Sequence, residues 1–230
     1  MLGFLVLIHE GGHFLVAKLF KIKVNEFAIG FGPTIFTKVK GETKYTLRLI
    51  PLGGFVNLEG EEERSDAEGS FSNASVWKKI SIVSAGAIVN ILFGLLIFFV
   101  LVSILNGPYS GLIYVKNFIL LILNSLKQLF TGGISTDQMV GIVGISDIVV
   151  STSGIMEYMS IMASISVSLG VTNLLPFPPL DGGKIIIYII EGIRRKPLKE
   201  EIEIKIQSWG FAILIALAIY VTYNDILRIF

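Results

Sequence analysis

Long apolar runs alternate with shorter polar ones along this chain, and the run lengths predict its elements. Four runs, at about 2–20, 80–105, 158–180 and 208–227, come close to the roughly 20 residues that a membrane-spanning helix needs. The third regains its apolar character in Ile185-Ile186-Ile187-Tyr188-Ile189-Ile190. A fifth run, 111–131, is interrupted by Lys116, Asn117, Asn124, Ser125, Lys127 and Gln128. That mixture suits an amphipathic helix lying in the membrane interface. Segment 24–57 alternates apolar and polar residues and is punctuated by Gly30, Gly32, Pro33, Pro51, Gly53 and Gly54. It reads as a small antiparallel β-sheet or β-hairpin. The acidic stretch from Glu59 to Glu68 reads as a solvated loop.

The expected fold is a mainly α-helical polytopic membrane protein with about four spans, in a single domain over 1–230. Composition agrees: 53% of the 230 residues are hydrophobic and 16% charged, and the mean hydropathy is +0.74. A soluble domain of this length carries more charge. A formal net charge of +1 without a basic tract points away from a nucleic-acid partner. The chain has no cysteine, hence no disulfide and no thiolate ligand.

Basic residues orient the spans. Lys21 and Lys23 follow the first, Lys78 and Lys79 precede the second, and Arg194, Arg195, Lys196 and Lys199 lie between the last two. Segment 106–157 holds only Lys116 and Lys127. The positive-inside rule places 21–79 and 191–207 in the cytoplasm, with 106–157 and both termini outside.

The first apolar run contains the only histidines, His9 and His13, flanking Glu10. Positions i and i+4 share a helix face, so both imidazoles can reach one metal ion. Glu10 beside them is placed to act as a general base, completing the H-E-x-x-H zinc pattern. Ionisable groups are costly at membrane depth, so three on one apolar helix need a reason. Gly11 and Gly12 are weak helix formers that let another segment pack close. Because this run carries candidate chemistry, no cleavable signal peptide is expected.

A catalytic zinc takes three protein ligands and leaves one position open. With no further His and no Cys, the third ligand must be a carboxylate. Asp181 is the candidate, in Asn173-Leu174-Leu175-Pro176-Phe177-Pro178-Pro179-Leu180-Asp181-Gly182-Gly183. Three prolines break the helix there, and broken backbone at membrane depth must be buried in protein or line a cavity. The bland role for Asp181 is a cap on a helix starting near Gly182. Two histidines and a carboxylate also suit ferrous iron.

The segments Gly3–Phe14 and Asn173–Gly183 resemble the site-2 protease family of intramembrane zinc metalloproteases (M50), its bacterial RseP-type branch above all. The likeness extends to Ile29-Gly30-Phe31-Gly32-Pro33, to Arg48–Val56 and to Thr222–Leu227, so it covers nearly the whole chain. Three departures stand out. Gly11 replaces a usual Leu. Ala85-Gly86-Ala87-Ile88-Val89-Asn90 lacks the proline of an Ala-Gly-Pro-x-x-Asn run. No PDZ domain fits between the second and third spans, where such proteases carry one or more.

The resemblance implies a zinc endopeptidase of the bacterial inner membrane with its active site toward the cytoplasmic side. His9, His13 and Asp181 would hold Zn2+, and Glu10 would be catalytic. Asn173, Pro176 and Asn90 would position substrate, although each asparagine also suits a purely structural role. Partners would be the lipid bilayer and single-span membrane proteins already cut outside the membrane, such as anti-sigma factors or remnant signal peptides. The rival readings are a non-proteolytic membrane metal binder and a pseudoprotease.

Overall fold

The computed structural model describes residues 1–61, 63–132 and 141–229. Glu62 of the acidic stretch and 133–140 of the 106–157 segment lie outside the described residues. The order is α1 (Leu2–Leu19), β1 (Val24–Lys40), β2 (Thr43–Leu58), α2 (Val76–Asn106), α3 (Pro108–Thr131), α4 (Ile142–Ser151), α5 (Ile155–Asn173), α6 (Asp181–Arg194) and α7 (Glu200–Ile229).

Among the described residues, α1, α2, α3, α5 and α7 are long and apolar enough to cross a membrane. Five helices therefore qualify where the sequence suggested four spans and one interfacial helix. Pro108 starts α3, its fixed φ suiting the first helical turn, and Gly132 ends it in the left-handed conformation. The third expected span is shorter than read. Pro176, Pro178 and Pro179 cannot continue a helix, so α5 stops at Asn173 and α6 begins afresh at Asp181. The last span starts earlier than read, because Glu200, Glu201 and Glu203 occupy the first turn of α7, where the helix dipole favours carboxylates. Helix α4 was not expected at all.

The chain divides into two compact units, Met1–Leu92 with Ser166–Gln207, and Phe93–Ile165 with Ser208–Phe230. In the first, β1 and β2 pair antiparallel from Lys40↔Thr43 out to Val24↔Leu58, as the alternation of segment 24–57 predicts. The ladder bends in its middle. Gly30 takes a φ of +87°, and a Cβ there would lie 2.7 Å from the carbonyl oxygen of Ile50, so only glycine fits. The bend lays Glu26, Phe27, Ala28 and Ile29 opposite Lys44, Tyr45, Thr46 and Leu47 on one side. On the other side Phe27, Ala28 and Ile29 face Val56, Phe55 and Gly54. Val24 and Leu58 at the strand ends join Ala17, Phe71, Ile82 and Tyr188 in one buried cluster. Phe71 and Tyr188 meet edge to face at 5.7 Å, with the Lys79 ammonium over both rings.

In the second unit, Phe98 packs against Tyr114 and Phe118 at 5.4 and 4.6 Å between ring centroids, which holds α3 on the end of α2. Asp225 of α7 is 2% exposed. Its Oδ2 accepts the backbone N–H groups of Gly141 and Gly144 at 2.9 and 3.0 Å, capping the otherwise open start of α4. Asp225→Ala would leave two partly buried donors unpaired at the start of α4, each costing up to about 1–3 kcal/mol. The expected result is faster amide hydrogen exchange across 142–151 in the variant, with protection of α1 unchanged. Equal protection of α4 in both proteins would show that this cap does not hold it.

Candidate metal centre

The H-E-x-x-H run lies on α1, and its histidines are presented side by side. The His9 and His13 rings are 4.8 Å apart and nearly perpendicular. Asp181 stands in the first turn of α6, directly after the proline break. Gly182 and Gly183 let that helix start close against the break: a Cβ on Gly182 would lie 2.2 Å from the Leu175 carbonyl oxygen. The Asp181 Oδ2 lies 3.1 Å from His9 Nε2 and 3.4 Å from His13 Nε2. One ligand atom from each of the three residues falls within 4.8 Å of the others.

The donor chemistry suits a cation. His13 Nδ1 lies 2.8 Å from the carbonyl oxygen of Ile82. A carbonyl only accepts, so the Nδ1 of a neutral ring carries the proton and Nε2 presents a bare lone pair. Asp181 Oδ2, facing that lone pair, is buried and has no hydrogen-bond partner. Electron pairs converging without protons between them repel unless a positive ion sits among them. Two imidazole nitrogens and one carboxylate oxygen form a ligand set that zinc accepts while keeping a fourth position open.

Helix α2 supports this arrangement through close approach. A Cβ on Gly12 would lie 2.7 Å from the Ala85 carbonyl oxygen, and one on Gly86 would lie 2.4 Å from His13 Nε2. The small residues at Gly12 and Gly86 thus serve packing, as the weak helix formers of the motif suggested. Gly11 differs, since nothing lies within 4 Å of a Cβ built on it. Gly11→Ala should therefore keep its zinc and gain about 1 kcal/mol of stability from helix propensity. A thermal melt of the zinc-loaded variant checks this; a lower midpoint than the parent's would refute it.

The triad and Glu10 line one cavity of about 820 Å³. Phe55, Val56, Asn57 and Leu58 of β2 form one wall. Among the described residues, the register gives segment 54–58 a strand partner on one side only. Asn173, the last residue of α5, also lines the cavity, and its Nδ2 donates to the Leu169 carbonyl oxygen at 3.0 Å. That bond satisfies the helix end, and Oδ1 remains as the acceptor Asn173 can offer. Pro176 is exposed and does not line the cavity. Asn90 is fully buried and also lies outside the lining; its side chain touches His9 instead.

Sequence reasoning missed an ion pair in the cavity lining. Lys184, one helical turn beyond Asp181, forms an ion pair with Glu61 at 2.7 Å. Burial pushes the Lys184 ammonium down, but the neighbouring Glu61 and Tyr188 outweigh it and hold the amine above the ordinary lysine range. Glu61 belongs to the stretch read as a solvated loop, and here it is tied to the cavity wall. The spacing of Asp181 and Lys184 on one helix face was the only signal available.

Apolar helices here carry a candidate His-His-Asp metal site with an adjacent glutamate, the parts a membrane-embedded metallopeptidase needs. The family model of Peptidase family M50 matches residues 1–217, and the chain belongs to that family, the site-2 protease family. Its members use zinc. A Fusobacterium nucleatum protein named "Putative zinc metalloprotease FN1322" is 27% identical, the match covering 100% of this chain and 97% of the relative. "Putative zinc metalloprotease CA_C1796" of Clostridium acetobutylicum is 26% identical over 97% of this chain and 94% of its own length. "Putative zinc metalloprotease CPE1693" of Clostridium perfringens is 28% identical over 97% and 95%. The protein is a multi-pass membrane metalloprotease.

Proposed function

We propose that this chain is a site-2-type intramembrane protease, hydrolysing peptide bonds within transmembrane segments of single-span membrane proteins. The observation that carries the reading is the His9–His13–Asp181 centre, opening with Glu10 into a cavity whose wall is a strand with, among the described residues, one unpaired edge. A transmembrane helix hides its carbonyls in its own hydrogen bonds and must unwind to be cut. The edge of 54–58 offers backbone groups that an unwound peptide can pair with. His9, His13 and Asp181 would hold zinc, which would supply polarisation of the scissile carbonyl and acidification of water. Glu10 takes a proton from the attacking water and passes it to the leaving amine. Asn173 Oδ1 faces substrate N–H groups, and Lys184 with Glu61 braces the floor.

We place the protein in the bacterial cytoplasmic membrane, with both termini outside and the centre toward the cytoplasmic side. Charge favours α3 lying in the interface. Were α3 to cross, Arg194, Arg195, Lys196 and Lys199 would move to the outer side, against the positive-inside rule.

Substrate access is proposed to run without the PDZ size filter of RseP-type proteases. Only Gly107 separates α2 from α3. The 331-position match to the Fusobacterium relative leaves at least 101 positions with no counterpart in this 230-residue chain.

The test is cleavage of a truncated single-span substrate by the purified full chain, with product termini mapped by mass spectrometry. Cutting inside the span, lost on chelation and restored by zinc, supports the proposal. A zinc-loaded protein that binds the substrate and leaves it whole would support a pseudoprotease instead.

A further inference from the structure

Both histidines of the centre turn their second ring nitrogen toward α2. His13 meets a backbone acceptor there, the Ile82 carbonyl. His9 meets a side chain: its Nδ1 lies 3.5 Å from Asn90 Nδ2. Asn90 is 0% exposed, and its Oδ1 is buried without a hydrogen-bond partner. Helix α5 packs against the same stretch of α2. Ser166 Oγ donates to the Asn90 backbone oxygen at 2.8 Å. Gly170 has no room for a Cβ, which would lie 2.5 Å from the Ala87 carbonyl oxygen.

These facts have one economical resolution. For His9 Nε2 to present a lone pair beside Asp181, the neutral ring must carry its proton on Nδ1, and that N–H needs an acceptor. An amide NH2 cannot accept. The unpartnered Oδ1 belongs to the same amide. Half a turn about the terminal torsion, which for asparagine is broad and nearly two-fold, exchanges the two atoms. The acceptor then meets the donor, and the orphaned oxygen is satisfied. Metal-ligating histidines depend on such an outer partner to fix tautomer and ring orientation.

We propose that Asn90 is a positioning residue for the metal centre, its Oδ1 accepting the Nδ1 proton of His9 so that Nε2 faces the ion. The role replaces the substrate contact that the sequence suggested for Asn90, and it rests on the zinc-protease reading of the centre. It also assigns α2 a function. The helix holds both ligand imidazoles from behind, one by a backbone oxygen and one by a side chain eight residues further on.

The test compares Asn90→Leu, of similar size but with no acceptor, with Asn90→Asp, which keeps an acceptor at the same reach. Zinc affinity of the purified full chain is read by competition with a chromophoric chelator. The visible spectrum of the cobalt-substituted protein reports ligand geometry independently of cleavage. Loss of an outer partner of a ligating histidine lowers metal affinity by about 10–100-fold, so the Leu variant should fall by that factor and the Asp variant should stay near the parent. The cobalt band should change with Leu and not with Asp. Asn90→Ala read beside Leu covers the case in which the branched side chain does not fit. A Leu or Ala variant that folds and binds zinc as tightly as the parent overturns the proposal, and so does an Asp variant that loses as much as Leu. Failure of the parent to bind zinc would overturn the zinc reading itself, a result distinct from either.

Discussion

Glu10→Gln should bind zinc as the parent does and cleave nothing measurable. Glu10 sits between the two ligand histidines in sequence and lines their cavity, yet the ligand cluster is His9, His13 and Asp181 without it. Its carboxylate is therefore free to handle protons. Glutamine has nearly the same shape and keeps an oxygen in place, but it cannot take a proton from water or return one to an amine. General acid–base catalysis by a positioned group contributes about 10²–10⁴-fold, so single-turnover cleavage should fall by at least about 10²-fold. Packing offers no alternative cause, because the side-chain volume is nearly unchanged. The measurement pairs cleavage rate with zinc content in both proteins. A variant that cuts at the parental rate would require another base. A variant that loses its zinc would make Glu10 part of the metal's support.

The second large effect should come from a single methyl group on a residue that touches no ion. Gly86→Ala would set a Cβ 2.4 Å from His13 Nε2 and 2.8 Å from the His9 backbone oxygen. One of the three must move, and each is constrained. The His9 oxygen belongs to α1, which is already in backbone contact with α2: a Cβ on Gly12 would lie 2.9 Å from Gly86 Cα. The His13 ring is held from behind by the Ile82 carbonyl. Swinging that ring aside takes Nε2 out of the cluster, and spreading the helices takes both histidines away from Asp181. Overpacking of this kind costs about 1–3 kcal/mol in stability. The loss in zinc affinity should be larger than the loss in fold stability, because ligand distances tolerate only about 0.2 Å. Chelator competition and an apo melting curve separate the two. Parental zinc affinity in a folded Gly86→Ala protein would show that the α1–α2 contact is looser than described.

The two effects differ in what announced them. Glu10 was legible from spacing alone, because a helix of 3.6 residues per turn brings positions 9 and 13 to one face whatever surrounds it. Hydrophobic run lengths likewise marked the spans, since bilayer thickness sets them, and residue alternation marked the sheet of 24–58. The proline run predicted a break after Asn173, and elimination among ligand types pointed to Asp181. Charge placement suggested an orientation for the spans.

What lay beyond reach were properties that depend on distant parts of the chain. Gly86 is just another small residue in an apolar run until α1 is seen to cross there. The resemblance implied either a substrate-positioning or a structural role for Asn90, and only the packing of α2 between α1 and α5 places its side chain beside His9. Lys184 and Glu61 stand 123 residues apart, and the acid sits in a stretch whose composition reads as solvated. The start of α7 was hidden because its glutamates satisfy a helix dipole rather than a hydrophobic period. The sequence by itself picked out the candidate ligands, the candidate base and the apolar helices, all of which follow from periodicity and chemical type over a few turns. The tertiary structure alone showed which groups stand behind those candidates, because that depends on backbone separations of a few tenths of an ångström between helices far apart in the chain.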